Sequence, residues 1–290
     1  MKSMMKRNTF REIKKSFGRY FAILAIIALG VAFFSGLKIT QSVMVHSADV
    51  YLKDLQFYDY RLVSTLGFTE ENVEALAEKE DVRAAEGAIS AEVLYKDAGE
   101  NERVIKMHSI TEKVNKLKLV AGEMPQSADE CVVDSVLFSE DAIGSKLVLS
   151  ENNTTDDLDK FAYKEYTITG LVQSPCYIQF ERGNTSIGNG RISGFAYILK
   201  DGFAVDYDTE IYIKFDEDYD IYSDEYDSYM DAKEADWEAY TKEQADIRYE
   251  KIVKDAQDEL DEKKEELEEK RAEAEAELES AKQQLTDGET

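Results

Sequence analysis

Eighteen consecutive uncharged residues, 20–37 (YFAILAIIALGVAFFSGL), constrain this chain more than any other feature. At 1.5 Å per residue they make about 27 Å of helix, close to the ~30 Å hydrocarbon core of a bilayer. A helix apolar on every side needs wrapping all round, which disfavours a buried core helix. A cleaved signal peptide is the other reading. Against it, nineteen residues is long for a leading basic region, and no A-x-A-like site follows the stretch. The flanks differ in charge. Residues 1–19 carry Lys2, Lys6, Arg7, Arg11, Lys14, Lys15 and Arg19 against Glu12 alone, a net of +6. The whole chain has 35 Lys+Arg and 61 Asp+Glu, net −26, so the other residues must sum to −32. Basic residues favour the cytoplasmic side, which places 1–19 inside and everything after Lys38 outside. An outer part this acidic is a poor partner for nucleic acid or for anionic lipid.

The segments around the span have patterns of their own. Thr9-Phe10-Arg11-Glu12 reads as a capping box, with Asn8 a second candidate cap. Phe10, Ile13 and Phe17 then share a face, giving a basic amphipathic segment (1–19) that lies on the inner leaflet. A merely charged stop signal fits the same residues. The span is assigned to 20–38, and 39–58 continues it as a stalk helix, since no Gly or Pro interrupts it.

The middle of the chain is strand-rich. Strands are expected at 60–64, 82–95, 103–110, 130–133, 143–149, 163–172, 177–180, 194–199 and 210–215, with a helix capped by Thr69, a helical turn at 134–138 and a polar loop at 150–160. This is a mixed α+β domain over 59–215.

Constellations that carry chemistry are sparse. Gly183, Gly188 and Gly190 resemble a phosphate-binding loop only in the first glycine pair, because Asn189 stands where the lysine belongs. Those glycines suit tight turns better. Ser193 is in no nucleophile elbow, and His46 and His108 have no triad partners in sequence. Cys131 and Cys176 either pair or stand as two buried small apolar residues. Asp216, Asp218, Asp220 and Asp227 approximate a calcium loop, yet Ile221 holds the turn position that wants Gly and the closing ligand is Asp. A solvated, acidic helix start fits these residues better. No catalytic, cofactor-binding or metal-binding residue is assigned, and the chain is not expected to be an enzyme.

No Gly or Pro occurs between Gly202 and Gly288. An acidic long helix therefore fills most of 216–290. Its apolar seam is Trp237, Tyr240, Ile252, Val253, Ala256, Leu260, Leu267, Ala274, Leu278, Ala281 and Leu285. Seven-residue steps are interrupted by the eleven from Leu267 to Leu278, and Lys263 and Lys270 occupy core positions, so any supercoil is weak. Isolated helices gain little without tertiary contacts, so a partner helix is expected. It comes from another chain, or the sequence stops inside a helical hairpin.

Phe17-Gly18-Arg19-Tyr20-Phe21 and Ala28-Leu29-Gly30-Val31-Ala32 look like the first transmembrane segment of FtsX-like, MacB-type ABC transporter permeases. Tyr58-Asp59-Tyr60-Arg61-Leu62-Val63-Ser64 with Gly67-Phe68-Thr69-Glu70-Glu71 is similar to the start of their extracytoplasmic core domain. Gly122-Glu123-Met124-Pro125, Glu130-Cys131-Val132-Val133-Asp134, Ile143-Gly144-Ser145-Lys146-Leu147 and Tyr166-Thr167-Ile168-Thr169-Gly170-Leu171-Val172 follow in the family's order. The resemblance covers residues 5–215. It implies a permease homodimer bound to a separate cytoplasmic ATPase, whose closure moves the outer domains for export or mechanical signalling. It also implies four spans in a complete permease, where this chain shows one, and a helical hairpin whose outgoing arm is 224–285. The rival expectation is a single-pass structural or adaptor protein whose extracellular coiled coil binds a partner.

Overall fold

The computed structural model describes residues 2–97, 99–217 and 219–288, with side chains for 4–97, 99–217 and 219–278. It is α+β: an N-terminal apolar helix, a domain of mixed sheets and a long C-terminal helix. Helix α1 (Lys2–Lys15) breaks at Ser16, and α2 (Phe17–Asp54) then runs 38 residues without interruption. Among the described residues α2 alone is long and apolar enough to cross a membrane. The expected cap at Thr9 is not one. Its Oγ1 donates to the Met5 carbonyl at 2.9 Å inside α1, satisfying the hydroxyl within the helix instead of starting it.

Ten described strands form two sheets: β1 (Tyr60–Phe68), β2 (Val82–Ala88), β3 (Ser90–Lys96), β4 (Glu102–Ser109), β5 (Lys118–Gly122), β6 (Glu130–Asp134), β7 (Lys146–Leu149), β8 (Glu165–Gln173), β9 (Ile192–Ile198) and β10 (Asp208–Phe215). Six of them run β8-β6-β9-β4-β3-β7, and β7 pairs back onto β8. That closes a barrel and removes its edges. β5 joins β8 beyond the end of β7, at Lys118↔Gln173 through Gly122↔Gly170. The barrel is filled by inward-facing residues of successive strands, including Val93, Ile105, Met107, Val133, Ile168 and Ile198. Tyr166 is also inside, and its hydroxyl reaches the Gly202 carbonyl at 2.7 Å.

The second sheet is small and antiparallel, in the order β1-β10-β2. One face carries Leu62, Ile211, Ile213 and Phe215, and is covered by Leu76 of α3 (Glu70–Ala77) and Trp237 of α5 (Asp224–Gly288). The other face carries Ala88 and Tyr212 and packs on Tyr58 and Val114. Thr69 caps α3 in a reciprocal box with Asn72.

Five readings need correction. The strand 82–95 is two strands in different sheets. The chain crosses at Ile89, whose N–H donates to Ser109 Oγ at 2.9 Å, while the Ser90 N–H donates to Thr209 Oγ1 at 2.8 Å. Apolar residues continue through the crossing, so no local break marks it. Residues 177–180 form no strand. Ser174 caps the 3-10 turn Pro175–Tyr177, and Tyr177 stacks on Phe195 with centroids 4.4 Å apart. Residues 118–122 form a strand where none is expected, and the polar loop 150–160 contains a short helix, α4 (Thr155–Leu158). Lastly, Trp237 and Tyr240 belong to the small sheet's core and not to an exposed seam. Ala281 and Leu285 lie outside the residues with described side chains.

Candidate functional site

With no constellation of catalytic groups among the described residues, the candidate site is the joint where α2 meets the sheets. The helix ends by closing its own carbonyls. Gln56, at φ 52°, donates to Lys53 O at 3.0 Å, and the Phe57 N–H donates to Leu52 O at 2.9 Å. This is the hydrogen-bond pattern of a Schellman cap, with Gln56 in the left-handed position glycine usually holds. A second strip of backbone locks that end. The N–H groups of Asn115 and Lys116 donate to Gln56 O (2.9 Å) and Leu55 O (2.8 Å). Asn115 Oδ1 accepts from the Tyr58 N–H at 3.1 Å. The same strip is anchored to β2, because the Glu86 carboxylate accepts the N–H groups of Glu112, Lys113 and Val114 at 2.7–3.1 Å.

Side chains complete the joint. Buried Asp49 of α2 accepts the Ile221 N–H at 2.9 Å. Lys53 bridges Asp49 at 3.1 Å and Asp220 at 2.6 Å. That hydrogen bond to Asp220 holds the Lys53 ammonium above its ordinary value and the Asp220 carboxyl below its own. Asp59, just before β1, takes Lys214 Nζ and the Phe215 N–H, each at 2.9 Å, and the Tyr226 hydroxyl at 3.3 Å. One carboxylate thereby ties β1, β10 and the first turns of α5. Farther along α5, Trp237 packs on Phe215 with centroids 5.5 Å apart, Lys79 lies 3.8 Å over the Tyr240 ring, and Lys233 pairs with Asp81. Both α2 and α5 are therefore fastened to the three-stranded sheet.

Between that sheet and the barrel lies a buried polar layer. Glu210 accepts from Ser90 Oγ at 2.6 Å and Tyr212 Oη at 2.5 Å. Burial pushes its carboxyl up, but those bonds and the Arg61 charge outweigh burial and leave it below its ordinary value. His108 contacts Tyr177 Oη at 2.6 Å and stacks on Tyr197. Burial, then the Lys106 charge, lowers its pKa to about 3, so the ring is neutral. Asp134 and Arg182 form a buried bidentate pair at 2.7 and 2.9 Å. Tyr51 of α2 shares with them a cavity of about 240 Å³.

The remaining candidates separate. His46 is exposed on α2, far in sequence from the His108 layer. Cys131 and Cys176 are free thiols, Cys131 fully buried, and burial raises the Cys176 pKa to about 11. Gly183, Gly188 and Gly190 all take positive φ and fold the loop onto itself through Thr185 N–H to Gly190 O at 3.2 Å. Ser193 sits within β9. Of the calcium-like set, Asp218 lies outside the described residues, Asp220 turns to Lys53 and Asp216 to Arg83. No group of three potential metal ligands converges among the described residues.

Asp49, Lys53, Asp59, Asn115 and Lys214 were not singled out from sequence. Asp49 and Lys53 carried a local signal as an i,i+4 pair at the end of a helix. The others have partners more than fifty residues away, and such pairs leave no local pattern.

No protein-family model matches the chain, and no curated protein does. Among solved structures, it is similar to the extracellular domain of the ABC-type transporter YknZ from Gram-positive bacteria, at 12% identity and TM-score 0.35, over 53% of this chain and 76% of that one. It is also similar to the periplasmic region of MacB from Actinobacillus actinomycetemcomitans, at 13% identity and TM-score 0.35, over 55% of this chain and 69% of that one.

Proposed function

We propose that the chain acts as a permease subunit of an FtsX/MacB-like ABC transporter. In this reading α2 spans the bilayer with residues 1–19 in the cytoplasm and the sheets outside. Two copies pair, and a separate cytoplasmic ATPase drives them. Hydrolysis takes place on that partner, and this chain contributes no bond chemistry. Its task is to move an outer domain, for export or for mechanical signalling, with α5 reaching an extracytoplasmic protein.

The observation that carries the reading is the double fastening of the small sheet. The capped end of α2 is hydrogen-bonded to residues 115–116 and 221, and the root of α5 packs on the same sheet. From Tyr240 to Gly288 α5 adds about 72 Å of helix at 1.5 Å per residue. A tilt of about 10° at the root therefore displaces its tip by about 12 Å. In this reading membrane-helix motion becomes outer-arm motion.

The test is purification of the chain from its native membrane, followed by distance measurement between spin labels at position 267 of paired copies. The reading requires an ATPase subunit in the purified complex and a distance that changes with ATP. Consistent absence of the ATPase, with a nucleotide-independent distance, sinks it. The adaptor reading draws on a different observation, the exposed stripe Leu260, Leu267 and Leu278 on α5. It requires partner docking that survives removal of every nucleotide.

A further inference from the structure

The small sheet ends on two edge strands, β1 and β2, and among the described residues each pairs only with β10. The β1 edge is the one that borders a groove. Open edges are normally blunted by charged residues, proline, a bulge or a covering element, because their unpaired N–H and C=O groups template another strand; in β1 the bulge is confined to 63–68 and leaves 60–63 in regular register. β1 has neither Lys nor Pro. Its apolar Val63 is 59% exposed and Leu66 41% exposed. The register slips between Val63 and Phe68, where Gly67 takes φ 73°. A Cβ there would stand 2.4 Å from the Tyr207 ring, so the slip is built in.

A groove of about 230 Å³ follows this edge, walled on the far side by Tyr240, Gln244 and Arg248 of α5. That volume holds one or two side chains and not a packed helix. Its charge is the reverse of its surroundings. Arg61 and Arg248 line it and no acid does, on the acidic side of a chain of net −26. Arg61 has Glu210 at 3.8 Å. The Arg248 Nε is buried without a hydrogen-bond partner. A buried guanidinium N–H left unpaired is costly, and the group that satisfies it best is a carboxylate.

We propose that this groove binds an extended, carboxylate-bearing segment of another polypeptide, which adds as a strand to the open edge of β1. The backbone of β1 supplies the ladder, Val63 and Leu66 supply apolar contact, and Arg248 takes the carboxylate. The site is independent of the permease reading, because it needs neither nucleotide nor motion of α2.

The probe is a fluorescent six-residue peptide of alternating valine and threonine with one central glutamate, titrated against the full chain in detergent micelles. Its glutamine counterpart is the control. Binding of the glutamate peptide at least about tenfold tighter is expected, since charge-assisted bonds are worth that much. R248M should erase the difference, and V63K, at an exposed position, should weaken both peptides. Hydrogen exchange should show new protection confined to residues 60–66. Equal affinity for the two peptides overturns the proposal. So does protection elsewhere in the chain, or self-association that V63K abolishes, which would make the occupant a second copy.

Discussion

The barrel and the three-stranded sheet solve the same problem in opposite ways. The barrel closes on itself, so each of its six strands has two neighbours and the interior is sealed by its own side chains. The small sheet has too few strands to bury both faces and borrows its cover, from α3 and α5 on one side and from Tyr58 and Val114 on the other. A sheet of three strands with helical support is near the lower limit of independent stability. The closed element holds its own strands, and the borrowing element depends on the helices packed on it.

Replacing Trp237 with alanine tests that contrast most severely. The ring is 4% exposed and contacts Tyr60, Phe215 and Tyr240. Losing it costs about 3–5 kcal/mol. Hydrogen exchange should show β1, β2 and β10 losing protection while β4 and β9 keep theirs. Equal loss in both sheets would mean that they unfold as one unit, and the contrast would fail.

Acid probes the layer between them. An unfolded histidine titrates near 6.5, whereas His108 is lowered to about 3. Between those values the unfolded chain binds the extra proton, so stability falls as pH drops below about 6.5, by up to about 1.4 kcal/mol per unit. Carboxyls that folding holds below their ordinary values join in below about pH 5, and the H108Q comparison subtracts them. Denaturant melts from pH 6.5 to 4.5 should thus lose about 2–3 kcal/mol, and H108Q should flatten the curve. A slope unchanged in H108Q would place the sensitivity elsewhere.

Much of this division was legible in the sequence, but unevenly. The apolar run 20–37 and the Gly-free acidic run fixed both long helices, because each pattern is local and long. The strands of the barrel emerged from short apolar alternation at 103–110, 130–133 and 194–199. What stayed hidden was the assignment of strands to sheets. Residues 82–95 read as one strand because Ile89 is as apolar as its neighbours, and only the distant hydroxyls of Ser109 and Thr209 turn the chain there. Tyr177 and Trp237 misled for a related reason: an aromatic residue announces burial and leaves open against what. The joint was invisible, since Asp59 and Asn115 act through partners that only the fold brings near.

Asp59→Asn addresses the fastening itself. It keeps the acceptor for the Phe215 N–H but removes the charge facing Lys214, whose side chain is 10% exposed. A loss of about 1–3 kcal/mol is expected, with faster exchange in the first turns of α5. Unchanged exchange in α5 would show that its root is held by the Trp237 cluster alone.

Asp220→Asn is the smallest and most discriminating change. Lys53 bridges Asp49 and Asp220, yet the Asp220 side chain is 78% exposed whereas Asp49 is buried. Exposed pairs contribute little and are screened by salt. The buried part of the joint does not need Asp220, because Asp49 keeps Lys53 at 3.1 Å and the Ile221 N–H, and loop 115–116 still caps α2. D220N should therefore melt close to the parent in low salt and coincide with it in high salt. A larger, salt-resistant loss would mean that the joint is as rigid as the barrel. The small sheet would then offer no weak point between α2 and the barrel, and the proposed motion of α2 would have to carry the whole sheet domain with it.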